Sequence, residues 1–358
     1  MADARISVAL GTRNGSAHVQ QQVRSILNQR PAPFELIVGD DDSSDDTIAL
    51  IERAHAEALA TDPGLPTRLE IIRRRPALGV TANFTATLAA CTGDLIALSD
   101  QDDEWMPGKL AALSAAFAAD PGLLLAHTDA RLVDADGAPL GLTLLEALEV
   151  TASERKRLAA GDALPVFLRR NLVTGATVML RGSLLDSAAP IPSQWVHDEW
   201  LASVAAATGR VRLLPEPLID YRQHGANEIG ARRPTFADKI ARLREPRADR
   251  ASRLAHRTAL LAERGRTLGV AAVVQAQLDA KADHEARRAR LPRVRLARVP
   301  AVLAGALSGR YSRYSRGAND VLRDLVTPAG ELSVLTLAGP SAPTGPTEPS
   351  APTGPGAP

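Results

Sequence analysis

The sequence predicts an α/β fold: a mostly parallel sheet flanked by helices, then a helical C-terminal region and a disordered tail. Three observations predict it. Short apolar, β-rich runs alternate with helical patterns up to about residue 130, and such alternation implies parallel strands joined by right-handed crossovers. Residues 235–290 carry Ala, Arg and Leu at helical spacing without strand signals. From Thr327 on, Pro, Gly, Ser and Thr dominate, a composition that cannot bury a core. The expected units are residues 1–231, 232–326 and 327–358.

The expected strands are Ile6–Leu10, Phe34–Val38, Leu69–Ile72, Leu95–Leu98 and Leu123–Ala126. Between the first two, Ser16 can cap a helix whose Val19, Val23, Ile26 and Leu27 share one face. Ser44 can cap the next, with Ile48, Ile51 and Leu59 as core candidates. "VTANFTATLAAC" and "PGKLAALSAAFAA" fill the following gaps. "DADG" at 134–137 is a turn signal. "NLVTGATVML" reads as a loop entering a strand, and "DEWLASVAAATG" as a helix ending at Gly209. "VRLLPEPLIDYRQH" reads as two short strands broken by Pro215 and Pro217.

A chain of 358 residues suits one or two domains with a sizeable core. Lys+Arg 42 against Asp+Glu 41 gives a net charge of +1, which names no partner. Acids gather at 40–46 and 100–104, and arginines after Arg232. The lone Cys91 excludes an internal disulfide and fits a reducing compartment. No signal peptide precedes "RISVALG", and no apolar run approaches the roughly 20 residues of a spanning helix. The expectation is a soluble or peripheral cytoplasmic protein.

In parallel sheets, ligands sit outside the carboxyl ends of the strands. Both acidic runs follow strands immediately, so they share one edge. Asp100 and Asp102, as Asp-x-Asp after a strand, suit a hard divalent cation completed by phosphate oxygens. Asp103 is a supporting group, and Trp105 and Pro107 start the next helix. The competing reading is a solvated loop. In "VGDDDSSDDT", helix capping explains Ser44 to Asp46 but not Asp40 and Asp41. A strand-end carboxylate can accept from a base imide or a ribose hydroxyl, the reading preferred for Asp41. Gly11, Asn14 and Gly15 make a turn through which main-chain N–H groups can approach a nucleotide. Asp198 in "WVHDEWLA" reads as a helix cap or as a general base. Arg222 can pair with phosphate, and His224 with diphosphate oxygens or a metal; a surface strand end is the plainer alternative.

Taken together, "TRNG", "DDDSSDD", "GVTANF", "SDQDDEW", "VTGAT", "HDEWLA" and "YRQHGAN" resemble the family 2 glycosyltransferases of GT-A fold, in their bacterial rhamnosyltransferase-like branch. "RYSRYSRGANDVLRDL" resembles that branch's C-terminal block. The resemblance implies inverting, metal-dependent transfer of a sugar from a nucleotide-sugar to an acceptor hydroxyl, in cell-surface polysaccharide or glycolipid assembly. By position, Asp198 is then the catalytic base, in place of the cap. Gly11, Asn14, Asp41, Asn83, Asp100, Arg222 and His224 bind the nucleotide-sugar. Asp102, with Asp100 and His224, holds Mg²⁺ or Mn²⁺. The branch points to L-rhamnose from dTDP-rhamnose; UDP-galactose and UDP-glucose stay open. Arg13, Asp42 and Glu104 depart from the family pattern, and Glu104 has no assigned role.

The alternatives are a nucleotidylyltransferase, which also begins with a strand and a Gly-Thr-Arg turn, a phosphoacceptor module, and an inactive nucleotide-sugar-binding scaffold of the same fold. The basic stretch 287–300 is a solvated helical face or a contact with anionic membrane at the inner face of the plasma membrane. With aromatic interleaving nearly absent there, nucleic acid is not expected.

Overall fold

A computed structural model describes residues 4–223 and 247–327. His224 and the expected C-terminal tail therefore lie outside the described residues. The first half follows the alternation: β1 (Ile6–Thr12), α1 (Val19–Leu27), β2 (Glu35–Asp41), α2 (Thr47–Thr61), β3 (Arg68–Arg74), α3 (Val80–Leu88) and β4 (Leu95–Ser99). Next come β5 (Glu104–Trp105), α4 (Lys109–Ala119), β6 (Leu123–Val133), β7 (Pro139–Thr143), α5 (Leu144–Ala147), α6 (Ala152–Ala159) and α7 (Leu164–Phe167). A 3-10 turn leads into β8 (Val178–Arg181), followed by α8 (Leu184–Ala188), α9 (His197–Thr208) and β9 (Arg210–Arg222). The C-terminal helices are α10 (Arg247–Leu268), α11 (Ala272–Ala289), α12 (Arg295–Leu307), α13 (Arg310–Tyr314) and α14 (Ala318–Val326).

The strands form one sheet in the order β3-β2-β1-β4-β8-β6-β9-β5, with β7 on β6. It is parallel through β3, β2, β1 and β4. Beyond β4 it is mixed: β8 runs antiparallel to both β4 and β6, while β6 and β9 are parallel. The chain leaves β6 through β7 and the helices α5 to α7 and re-enters the sheet at β8 in the opposite direction. Residues 210–222 are one strand rather than two. The pairing with β6 slips between Thr128 and Asp129, from Leu214 to Pro217, so a bulge absorbs the two prolines.

Both faces of the sheet are covered. In β1, Ile6, Val8 and Leu10 join one core and Ala9 the other; in β4, Leu95 and Ala97 oppose Ile96 and Leu98. This period of two is what a strand buried on both sides requires. Val19, Val23, Ile26 and Leu27 of α1 are all buried as a single face. Leu59 is not core: it is 37% exposed, and Ala54 and Ala58 take the inward face of α2 instead.

Neither expected serine cap forms. The Ser16 amide donates to Asp45 Oδ2 and the Ser44 amide to Asn14 Oδ1, so the first two strand-to-helix turns are tied to each other. Trp105 does not start a helix. With Glu104 it pairs antiparallel to Ile219 and Asp220, and α4 begins after Gly108. Glu104 acquires a place: its Oε2 accepts from Gln21 Nε2 at 2.6 Å, beside the Arg131–Asp220 ion pair that closes the sheet edge.

The C-terminal helices join the core through Leu261, Ala262 and Leu278, in the same cluster as Trp200 and Leu201. The stretch 287–300 is not a uniformly solvated face. Arg298 is fully buried and donates to the carbonyls of Pro292, Arg293, Asp324 and Thr327. Arg288 is buried against Glu285 and Asp324. No helix among the described residues is long and apolar enough to cross a membrane.

Candidate active site

The strand register brings the acidic runs together. Gly11 and Thr12 lie opposite Gly39 and Asp40, Leu10 lies opposite Ser99, and Asp41 lies opposite Arg74. The carboxyl ends of β1, β2 and β4 therefore form one edge.

Asp40 is structural. Its carboxylate accepts from the Thr12 hydroxyl and from the Ser43 amide and hydroxyl, which ties the ends of β1 and β2. Asp41 is 3% exposed. Its two oxygens accept from the amides of Leu78 (2.7 Å) and Gly79 (2.9 Å), at the start of α3. Asn83, on α3, donates to the Gly39 carbonyl at 2.7 Å, and its Oδ1 is buried without a partner. Gly11 is fixed by packing: a Cβ there would lie 2.8 Å from the Phe84 ring. Asn14 sits at positive φ, 47°, where its Oδ1 reaches Ser44.

A residue overlooked in the sequence holds the β1 turn to the β4 loop. Gln101 accepts from the Arg13 amide at 2.8 Å and donates to the Arg13 carbonyl at 3.0 Å. A side chain at Gly15 would collide with Gln101.

Asp100 and Asp102 are half-buried, while Asp103 is 1% exposed. Asp103 Oδ1 accepts from the Arg222 amide at 3.0 Å and its Oδ2 has no partner. Burial, then the charges of Asp102 and Asp100, push the Asp103 carboxyl well above the usual range. Lys109 lies beneath, donating to the Ala176 carbonyl at 2.7 Å, with its ammonium 3.9 Å from the centre of the Trp105 ring. Burial lowers its pKa to about 7 against the pull of Asp103 and Asp100.

Arg222 is 4% exposed. Its guanidinium donates to the carbonyls of Asp102 (2.8 Å) and Ala135 (2.9 Å). Those bonds brace the acidic loop against the 134–137 turn.

Asp198 lies in the first turn of α9. Oδ1 accepts from the Glu199 amide at 2.6 Å and Oδ2 from the Gly175 amide at 2.8 Å. Burial raises its pKa despite these bonds and the charge of Arg257. Arg257 pairs with Glu199 and stacks over Trp195, 4.1 Å from the ring centre, so a C-terminal helix pins the start of α9. Tyr221 is 7% exposed, and its hydroxyl pKa is raised by burial, then by the charges of Asp100, Asp103, Asp102 and Asp198. His197, next to Asp198, stacks on Phe84 at 4.2 Å between ring centres, and both ring nitrogens are buried without partners.

The donor set suits a hard dication. It consists of oxygens only, Asp103 Oδ2 is orphaned, and like charges repel there. Among the described residues no three His, Cys, Asp or Glu side chains form a group that could hold a metal ion.

Residues 7–163 match the profile of Glycosyl transferase family 2. An uncharacterised protein of Mycobacterium tuberculosis is 35% identical over 131 residues, covering 37% of this chain and 38% of that protein. An uncharacterised glycosyltransferase of Nostoc is 25% identical over 230 residues, covering 62% and 66%. The chain thus spans less than two thirds of the length of these curated relatives. Two solved structures share the fold. Staphylococcus aureus TarS 1–349, in complex with UDP-GlcNAc, has a TM-score of 0.51, 17% identity and 89% coverage of each chain. The mannosyltransferase PcManGT of Pyrobaculum calidifontis, in complex with GDP-Man and Mn²⁺, has a TM-score of 0.51 and 19% identity, covering 94% of this chain and 88% of its own. The profile match falls on residues 7–163, the segment that builds this strand edge, so that part of the chain is similar to the family 2 glycosyltransferases.

Proposed function

We propose that this protein transfers a sugar from a nucleoside diphosphate sugar to an acceptor hydroxyl, with inversion. One observation carries the reading. The turn at 175–176 accepts from Lys109, beneath the acids that follow β4, through the Ala176 carbonyl and donates to Asp198 through the Gly175 amide, so Asp198 stands next to those acids. One set of carboxylates suits a diphosphate through a cation, and the other suits proton removal.

Asp198 is the general base. Its two main-chain bonds fix both oxygens while leaving each a lone pair, and the raised pKa brings it nearer to the acidity that favours proton transfer near neutral pH. The acceptor hydroxyl gives its proton to Asp198 as its oxygen bonds to the anomeric carbon. The bond from that carbon to the diphosphate breaks on the opposite face, and the nucleoside diphosphate leaves with the electron pair. Asp102 and Asp100 would hold Mg²⁺ or Mn²⁺, with His224 as the expected third group. A bound dication would neutralise the charge growing on the departing diphosphate.

Gly11, Asn14 and Asp41 border the base and ribose. The Leu78 and Gly79 amides each take one acceptor position on Asp41 and leave each oxygen a lone pair for a base N–H. Asn83 acts through α3, and Arg222 by bracing the acidic loop. The donor is dTDP-rhamnose, with UDP-glucose and UDP-galactose as competitors in the test. The acceptor is a glycan or lipid-linked glycan in cell-surface assembly, met at an anionic membrane.

The test is diphosphate release from a panel of nucleotide-sugars with Mn²⁺, with and without EDTA, and with product mass. Release from one donor that EDTA abolishes is expected. Release indifferent to EDTA removes the metal role. No release from any donor beside a competent acceptor removes the transferase reading and leaves an inactive scaffold.

A further inference from the structure

Among the described residues, nothing covers the apolar face of α12. Leu296 is 82% exposed, Leu303 49% and Leu307 89%; Val294, just before the helix, is 66% exposed. With Pro300, the residues at 296, 303 and 307 fall at intervals of four, three and four, which is one stripe of an α-helix. Monomeric soluble surfaces rarely keep such large apolar side chains contiguous and exposed. The opposite side of α12 is anchored by buried Arg298 and Val302, so the orientation of the stripe is fixed by the fold.

The rim decides what the stripe fits. From Ala286 to Asn319 the chain contains arginines but no aspartate or glutamate. Arg288 and Arg298 are consumed inside. Arg290, Arg293 and Arg295 are exposed beside the N-terminal end of the stripe, and Arg313 and Arg316 are exposed beyond α12. An apolar stripe with a cationic rim and no acid complements a bilayer that has an apolar interior and anionic headgroups. A second copy of the same surface would offer the arginines no opposite charge.

We infer that α12 is an interfacial helix that docks the protein on an anionic lipid surface, with Leu296, Leu303 and Leu307 in the acyl boundary and Arg290 and Arg295 on headgroups. The inference rests on the membrane placement proposed above and is independent of the sugar chemistry. It also replaces the whole basic stretch 287–300 with one helix face.

The test uses the full chain with vesicles of phosphatidylcholine alone and of phosphatidylcholine with phosphatidylglycerol, read by co-sedimentation. Binding to the anionic vesicles and weak binding to the neutral ones is expected. Leu296→Gln with Leu307→Gln should lower partitioning at least tenfold, because two inserted side chains are lost. Arg290→Gln with Arg295→Gln should lower it by up to about fivefold per arginine and weaken its salt dependence. Both doubles alter exposed side chains outside the proposed catalytic groups, so diphosphate release to a soluble acceptor should equal that of the parent. Equal sedimentation of the leucine double and the parent overturns the inference, as does equal binding to neutral and anionic vesicles or none to either. A leucine double that turns a dimer into a monomer without changing lipid binding assigns the face to a second copy instead. Vesicle binding without sugar transfer would sink the proposed function and leave the docking face standing.

Discussion

At the strand edge, Asp100, Asp102 and Asp103 crowd together over a single lysine, Lys109, whose own charge is weakened by burial. In the C-terminal helices, Glu285, Asp320 and Asp324 are just as buried, yet they meet Lys281 and Arg288 at 2.6 to 3.6 Å. Tyr311 donates a further bond to Asp324 at 2.7 Å. Burial alone would raise Glu285 and Asp320, but the neighbouring cations outweigh it and hold both carboxyls low. At the strand edge the balance goes the other way. One cluster is neutralised within the fold and serves packing. In the other, burial and neighbouring acids act in the same direction on Asp103 and hold its carboxyl high, a setting common at functional sites.

The comparison can be broken most directly at the base. Asp198→Asn keeps the shape and one of the two main-chain bonds, to Gly175 or to Glu199, but cannot take a proton. Transfer should fall about 10³-fold, with donor affinity by calorimetry unchanged; normal transfer would show that the base is elsewhere.

Next is a matched pair in the two clusters. Asp324→Asn removes one of the three carboxylates around Arg288 and should cost about 1.5–3 kcal/mol in urea unfolding. Asp103→Asn removes a repelled charge and keeps an acceptor for the Arg222 amide. The metal-free protein should be no less stable than the parent. If Asp103→Asn costs as much as Asp324→Asn, the strand-edge acids are structural too.

The third measurement is thermal unfolding with Mn²⁺ and a nucleoside diphosphate. At a hundredfold excess over Kd, binding should add about 2.7 kcal/mol. EDTA or Asp102→Ala should remove it, while Asp324→Asn, if still folded, should retain it.

The smallest effect concerns His197. Burial holds its pKa at about 3, below the ordinary 6.5, and holds that of His127 at about 4. The neutral rings belong to the folded state, so the unfolded chain binds the extra protons between these values. Stability is complete above about pH 6.5 and is lost as pH falls toward 3, by roughly 1 kcal/mol per pH unit for each ring. His197→Phe preserves the stack on Phe84 and should remove one of the two contributions. An unchanged slope would mean that the ring is protonated in the fold.

Much of this was legible in the chain because it is local. Ile6–Leu10 and Leu95–Leu98 read as strands from their apolar runs, and Asp41 and Asp100 follow strands whatever the rest does. What was hidden depends on distance. β8 is antiparallel because of how the chain returns to the sheet, and no residue within 178–181 encodes that. Lys109, Asp103 and Arg298 look like solvated charges in sequence, and their burial follows from elements that pack over them. Gln101 was silent because its partner, the Arg13 peptide, lies 88 positions away. Arg222 and Tyr221 fall on one strand, yet only the paired neighbours separate a brace from a phenol whose pKa the acids raise.

The Gln101 clamp has a bearing on how such a protein could change its preferences. It fastens the turn after β1, which we propose borders the base, to the loop that bears the acids, and the missing side chain at Gly15 allows it to close. The two ends of a donor would then be judged by a single rigid piece. A substitution near Arg13 that favours a different base should also disturb the choice of sugar, so drift to a new donor would need coordinated changes on both loops rather than independent ones.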